Sequence, residues 1–306
     1  MTIVTLALDA MATRFELVLH GASESALRAA GEEALAEIAR LENQLSLYRP
    51  GSEIAQLNAR AAHEPVRVSP EVFALLQHAT RLTAETDGAF DITIAPLVRC
   101  WGFMNASGRM PTVEEIAAAR AVVGMENVLF DPAECTVRFA KPGVMLDLGA
   151  IGKGYAIERG TEILREAGIT SALFHGGTST ASAIGHPPDA EHWEVALPPR
   201  ATVESTAALP TTLRLRDESV SVSAIWGRSF ETGGKLFGHV IDPRLGCPVT
   251  GAILSAIILP SATETDALST ALLTLGPNGH DKIHGLRPGM RSLIVDADGV
   301  MQSLPT

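Results

Sequence analysis

Apolar and polar residues alternate along residues 3–8 and 14–19, which predicts two short strands around a turn. From 23 to 45 the apolar residues recur three and four apart among Glu and Arg, the spacing of a long amphipathic helix. Ser52 can cap a short helix running to Asn58. Ser69, Pro70 and Gly88 bracket a further helix as N-cap, first turn and stop. A helical piece at 112–122 and short strands near 127–130, 136–139 and 144–146 follow. A helix ends before Gly168, and "SALFHGG" reads as strand then loop. Strand-like runs fill 180–225, with a proline-rich loop at 187–200. "GAILSAIILP" is a buried strand, after which Ser261 and Glu264 make the S-x-x-E pattern of a helix start. The tail, 291–302, suggests a hairpin around Asp298-Gly299. Strands and helices are interleaved without repeat or long linker. The expected class is therefore α/β in the wide sense that includes α+β, as a single unit over 1–306.

One stretch departs from this periodicity. "MLDLGAIGKGYAIERG", Met145 to Gly160, puts Gly149, Gly152 and Gly154 where a helix should begin, beside Asp147 and Lys153. Glycine in a helix interior costs about 1 kcal/mol relative to alanine, so three of them point to close approach by something. The stretch is not a Walker loop. Asp147 stands where GxxxxGK[ST] needs its first glycine, and Gly154 where it needs Ser or Thr. It also lacks the third glycine of a dinucleotide fingerprint. A strand-to-helix turn with free N–H groups and a lysine can hold an anion. Tight packing of the helix would ask for the same glycines.

Four further segments carry candidate chemistry. In "TETDALSTALLTLG", Asp266 and Thr270 share a helix face with Ser269 beside them. That oxygen set suits Mg²⁺, although an aspartate near a helix start also serves the dipole alone. In "GHVIDPRLGCPVTG", His239 at a strand end can act as a general base or be structural. "TDGAFDITIAPLVRCWGF" ends in Trp101 and Phe103, either core residues or the wall of a site for a planar ring. Tyr48, at the turn of "LSLYRPGSEIAQLN", can stack on a ring or pack on its neighbours. No G-x-S-x-G supports a serine hydrolase.

Composition narrows the classes. Hydrophobic residues make up 46% and charged ones 19%, the balance of a folded chain. A net charge of −11 disfavours general nucleic-acid binding, which depends on Lys and Arg. No apolar run approaches the roughly 18 residues of a membrane span. The N-terminus lacks a signal-peptide pattern, and Cys100, Cys135 and Cys247 form no CxxC, so a zinc site or disulfide framework is not expected. A cytoplasmic location is the direct expectation, or a periplasmic one if a leader has been removed.

Taken in order, "MATRFELVL", "LSLYRPGSEIAQLN", "TDGAFDITIAPLVRCWGF", "LDLGAIGKGYAIERG", "HGG", "SVSVSAIWGRSFE", "HVIDPRLGCPVTG" and "TDALSTALLTLG" resemble the ApbE family of FAD:protein FMN transferases, from Met11 to about Gly276. The resemblance implies a fold with a T-fold-like part, mixed sheets and flanking helices, and two lobes around an FAD cleft. It implies transfer of FMN from FAD to a Thr or Ser hydroxyl of an acceptor protein, with release of AMP and with Mg²⁺, or Mn²⁺, as the cation. The acceptor motif is approximately D-G-x-T-G-A-T, which this chain lacks. By position, Asp266, Thr270 and the Ala150 carbonyl match the metal ligands. Met11, Tyr48, Ala89, Phe90, Asp91, Asp147, Lys153, Val240 and Ser269 match FAD contacts, and His239 matches the base that activates the acceptor hydroxyl. Thr178 stands where many members carry Asp or Asn, and Glu158 where they often carry Asp. An FAD pyrophosphatase giving FMN and AMP, or a flavin-binding protein without turnover, are the alternatives.

Overall fold

The computed structural model describes residues 1–105, 108–197 and 212–305. An eight-stranded sheet organises the larger part of it. Its spatial order is Thr2–Ala10, Thr13–Gly21, Ala172–Gly176, Thr180–Ile184, Ser219–Ala224, Ala252–Leu259, Arg291–Asp296 and Met301–Leu304. Mixed sheets were expected, but every pairing among the described strands is antiparallel. Tight hairpins at Met11-Ala12, Gly177–Ser179 and Ala297–Val300 account for three of the large sheet's neighbours, and such short loops permit no parallel pair.

The helices Glu24–Leu45, Gly152–Glu166 and Ala262–Leu275 pack side by side and onto the sheet. Ala252–Leu259, near the middle, is buried at all eight positions, as a strand covered on both faces must be. In the neighbouring Ser219–Ala224 the pattern splits: Val220 and Val222 pack with Trp193 and Leu213 on the side away from the helices, whereas Ser221 and Ser223 bond to the helix Ala262–Leu275. Four further helices, Glu53–Arg60, Pro70–Glu85, Ala95–Cys100 and Val113–Arg120, accompany a three-stranded sheet of Val66–Arg67, Thr136–Phe139 and Val128–Asp131, and the short helix His280–His284 lies against Ala262–Leu275 and the large sheet.

Local signals mostly match. Ser23, Ser52 and Ser69 each accept a backbone N–H as N-caps. Gly88, at φ 73°, closes the helix Pro70–Glu85 by donating to the Thr83 carbonyl at 2.8 Å. Ser261 caps its helix through Glu264 N at 3.2 Å, but the Glu264 carboxylate turns instead to Arg287 and His78. The strand expected near 144–146 is absent. That backbone is extended but joins no sheet, because the Asn58 side chain takes both its groups, donating to Leu146 O at 2.9 Å and accepting from Leu146 N at 2.7 Å. The expected loop at 187–200 contains the strand Trp193–Ala196, paired with Thr212–Leu215; its end, 198–200, lies outside the described residues.

Candidate active site

The three glycines of the Met145–Gly160 stretch serve different needs. Gly149 donates its N–H to Asp147 Oδ1 at 2.8 Å, closing a turn around the carboxylate. Gly152 opens the helix Gly152–Glu166. At Gly154 the helix lies directly against Ala262–Leu275: a Cβ there would stand 2.2 Å from the Ala262 carbonyl and 2.7 Å from Asp266 Cβ. The Gly154 N–H then donates to Asp266 Oδ2 at 2.9 Å. Packing and chemistry thus share this glycine, since the close approach aims the backbone donor that fixes the carboxylate.

Asp266 is 4% exposed, and its other oxygen accepts no hydrogen bond among the described residues. One turn on, Ser269 Oγ donates to the Asp266 carbonyl at 3.0 Å, and Thr270 Oγ1 lies 3.3 Å from the same oxygen. Ser223, from the sheet, reaches both hydroxyls, Ser269 at 2.9 Å and Thr270 at 3.1 Å. Ser223 was not among the sequence candidates; the serine-valine alternation of "SVSVSA" is the only signal there that marks it, by placing Ser221 and Ser223 on one face of a strand. Among the described residues no cluster of three or more His, Cys, Asp or Glu side chains is placed to hold a metal ion. One carboxylate and a threonine hydroxyl on the same helix face suit instead a hard cation that completes its shell with other oxygens and water.

A second group gathers at the glycine turn. The Asp147 N–H donates to Ile92 O at 2.7 Å, which ties the turn to the Ala89-Phe90-Asp91 segment. Burial pushes the Asp147 carboxyl above its ordinary pKa, against the Gly149 N–H and the cations Lys153 and Arg228, which draw it down. Lys153 Nζ rests on the Gly149 carbonyl at 3.0 Å. His239 directly follows the hairpin Ser229–Thr232 and Lys235–Gly238; one register step past the Ser229–Gly238 pair sets Arg228 opposite it. Burial lowers the His239 pKa, Arg228 and Lys153 lower it further, and a hydrogen bond to the Arg228 backbone acts the other way. Its Nδ1 is buried without a hydrogen-bond partner among the described residues. Arg228 too was missed in the sequence, where "WGRSFE" carried it without a spacing to mark its role.

The other expected FAD contacts are arranged as follows. Met11, at φ 50°, occupies the tip of the N-terminal hairpin and donates its N–H to Glu42 at 2.8 Å. Arg49, next to Tyr48, binds the other oxygen of Glu42 at 2.5 Å, so Glu42 organises this flank. Tyr48 itself is 63% exposed and available for stacking. Ala89 and Phe90 have buried side chains, so a ligand would meet their backbone. Asp91 accepts from Thr93 N at 2.7 Å and from its hydroxyl at 2.6 Å, and burial raises its pKa. It lines a cavity of about 540 Å³ with Asp87, Gly88, Glu126 and Arg244; Asp266, Thr270 and His239 do not line it. Val240 packs against the main core and accepts the Val249 N–H at 2.9 Å. Trp101 and Phe103 are no wall for a planar ring. Both are 2% exposed and pack with Phe230, and Trp101 stacks on Phe237 and donates to Gly246 O at 2.8 Å. Glu158 accepts from Ser261 Oγ at 2.6 Å and Thr263 N at 2.8 Å, so it anchors the start of the helix that bears Asp266.

A buried carboxylate with an oxygen to spare, and a turn where Lys153 and Arg228 act on Asp147 and His239, suit a charged, phosphorylated substrate. The chain matches the ApbE family over residues 11–294 and belongs to that family. It is 32% identical over 251 residues to the FAD:protein FMN transferase of Klebsiella pneumoniae, covering 80% of this chain and 77% of that protein. Among solved structures, the ApbE protein of Thermotoga maritima superposes with a TM-score of 0.87 at 28% identity, over 98% of this chain and 96% of that one. The Pseudomonas stutzeri flavinyl transferase ApbE gives 0.83 at 28% identity, over 99% and 95%. By family the chain is an enzyme, a flavin transferase.

Proposed function

We propose that this chain transfers FMN from FAD to a Thr or Ser hydroxyl of an acceptor protein and releases AMP. The observation that carries the reading is the place of His239, half-buried with Nδ1 free of any hydrogen bond among the described residues and set opposite Arg228 across the hairpin. Burial and the cations Arg228 and Lys153 lower its pKa, which favours the neutral form a general base needs. His239 takes the proton of the incoming hydroxyl. The freed oxygen bonds to the phosphorus on the FMN side of the pyrophosphate, the bond from that phosphorus to the bridging oxygen breaks, and the electron pair leaves on AMP. His239 then gives its proton to water, and the product is a phosphodiester.

Lys153 and Arg228 offset charge on the pyrophosphate. Asp147, kept at the turn by Gly149, adds a carboxylate whose charge the same two cations favour. Asp266, Thr270 and the Ala150 carbonyl would hold Mg²⁺ or Mn²⁺, which supplies neutralisation of phosphate charge. Met11, Tyr48, Ala89, Phe90, Asp91, Val240 and Ser269 would contact FAD. No helix among the described residues is long and apolar enough to cross a membrane. The three free cysteines favour a reducing compartment, the cytoplasm.

AMP release from FAD with Mg²⁺, with and without an acceptor carrying a D-G-x-T-type motif, tests the reading. The expected result is AMP matched by an acceptor mass gain of one FMN. AMP and free FMN without acceptor would replace transfer by hydrolysis, and FAD left intact in both mixtures would leave a binding protein.

A further inference from the structure

The strand Ser219–Ala224 carries a line of hydroxyls into the contact between the sheet and the helix Ala262–Leu275. Ser219 Oγ meets Ser182 Oγ at 3.0 Å, and Ser221 Oγ meets Thr180 Oγ1 at 3.1 Å and Thr265 Oγ1 at 2.9 Å. Ser223 ends the line between Ser269 and Thr270. Buried hydroxyls cost stability unless each is bonded, so the direction of every bond matters.

Counting protons assigns those directions at the end of the line. Each hydroxyl has one proton and two lone pairs. The Ser269 proton goes to the Asp266 carbonyl at 3.0 Å. Ser223 therefore donates to Ser269, the neighbour that has no proton to offer back. The contact from Ser223 to Thr270 at 3.1 Å is then a hydrogen bond only if Thr270 donates. The rival acceptor for Thr270 is the same Asp266 carbonyl, further away at 3.3 Å and already engaged by Ser269. The chain of donation runs Thr270 to Ser223 to Ser269 to the Asp266 carbonyl.

We propose that Ser223 is a positioning residue: by accepting the Thr270 proton it turns the Thr270 lone pairs away from the sheet, toward a divalent cation shared with Asp266. The proposal rests on the assignment of Asp266 and Thr270 as cation ligands made above. Outer partners that orient a ligand atom in this way typically change metal affinity by roughly 10- to 100-fold when removed. Without Ser223 the Thr270 proton is free to rotate into the position the cation requires.

The test is Mn²⁺ titration followed by the electron paramagnetic resonance of free Mn²⁺, with and without FAD, on the full chain. Ser223→Ala is expected to weaken Mn²⁺ binding about tenfold. Ser223→Thr, which keeps the hydroxyl, is expected to stay within about twofold of wild type. FAD affinity without metal, read by flavin fluorescence, is expected to be unchanged in both. A merely structural serine would lower the melting temperature and leave Mn²⁺ affinity alone. If Ser223→Ala does not fold, Ser223→Cys carries the test, since the thiol fills the space but accepts hydrogen bonds weakly. Wild-type Mn²⁺ affinity in Ser223→Ala or Ser223→Cys, alongside loss in Asp266→Ala, overturns the proposal and leaves the cation site standing. Equal loss in Ser223→Thr and Ser223→Ala also overturns it. Undiminished binding in Asp266→Ala, or no Mn²⁺ binding by the wild type in either condition, overturns the cation assignment and the proposal with it.

Discussion

Asp266 is 4% exposed and bonded to Gly154 across a helix–helix contact, whereas His239 follows a two-stranded hairpin that joins no larger sheet. The first side of the site is fixed by backbone packing: a helix start, a helix face and a central strand meet with no room for a methyl group. The second is fixed by charge and by a short ladder, with Arg228 exposed at its edge. A rigid interior suits a ligand set that must keep its geometry, and a lightly held perimeter suits substrates that enter and leave. Each kind of mutation is therefore expected to register differently. Under the proposed roles, changes on the interior side should act through stability and metal affinity, and changes on the hairpin side through rate and its pH dependence.

The largest effect should come from the hairpin side. His239→Ala is expected to lower the rate of FMN transfer by about 10²- to 10⁴-fold with little change in thermal melting; transfer at the wild-type rate would remove the base assignment. Because the folded His239 pKa lies below 6.5, the base stays neutral down to that pH, and the rate should fall only in more acid solution. Arg228→Ala removes a cation and should move that acid limb upward in a pH–rate profile; an unmoved limb would break the electrostatic link between hairpin and base.

Next comes the interior side. Gly154→Ala forces a methyl group into the Ala262 carbonyl and is expected to cost about 3 kcal/mol in urea unfolding. A near-wild-type midpoint would mean that the two helices separate easily, and the contrast between the two sides would lose its basis.

A smaller effect is expected where helices are tied by charge. Arg287 binds Glu264 at 2.8 Å and Glu85 at 2.7 Å, linking Pro70–Glu85 to Ala262–Leu275. Burial acts to raise the Glu264 pKa, but hydrogen bonds from His78 and Arg287 outweigh it and hold the carboxyl at about 2. A depressed folded pKa stabilises above the ordinary 4.5, and that contribution is lost as pH falls toward 2. Arg287→Ala should cost about 2 kcal/mol at pH 7, and its gap from wild type should narrow through that acid window in denaturant melts. A gap independent of pH would show that the pair acts through packing alone.

The smallest stability effect should be at Tyr48. Tyr48→Ala is expected to change unfolding by less than about 0.5 kcal/mol while weakening FAD binding several-fold through lost stacking, read by fluorescence quenching. Unchanged FAD affinity would remove Tyr48 from the site.

Much of the fold was legible because its signals are local. The alternation at 3–8 and 14–19, the caps Ser52 and Ser69, and Gly88 as a stop depend on residues within a few positions of one another, and the structure agrees with each. The misreadings are non-local. The strand near 144–146 was lost to Asn58, a partner 88 residues away in sequence. For Trp101 and Phe103 the sequence left core and ring wall open, and the choice of core was made by Phe230 and Phe237, which fold over them.

The amphipathic helices, the helix caps, the acidic balance and the order of motifs that marks the family are all written in composition and short spacing. Tertiary structure alone decided that Gly154 serves Asp266, that Arg228 stands opposite His239, and that Ser223 closes the line of hydroxyls at Thr270. Two of those pairs join residues 112 and 47 apart in the chain, and Arg228 meets His239 only through the register of its hairpin; a hydrogen bond or a close contact is set by distance in space, which only the packing of sheet, helices and hairpin supplies.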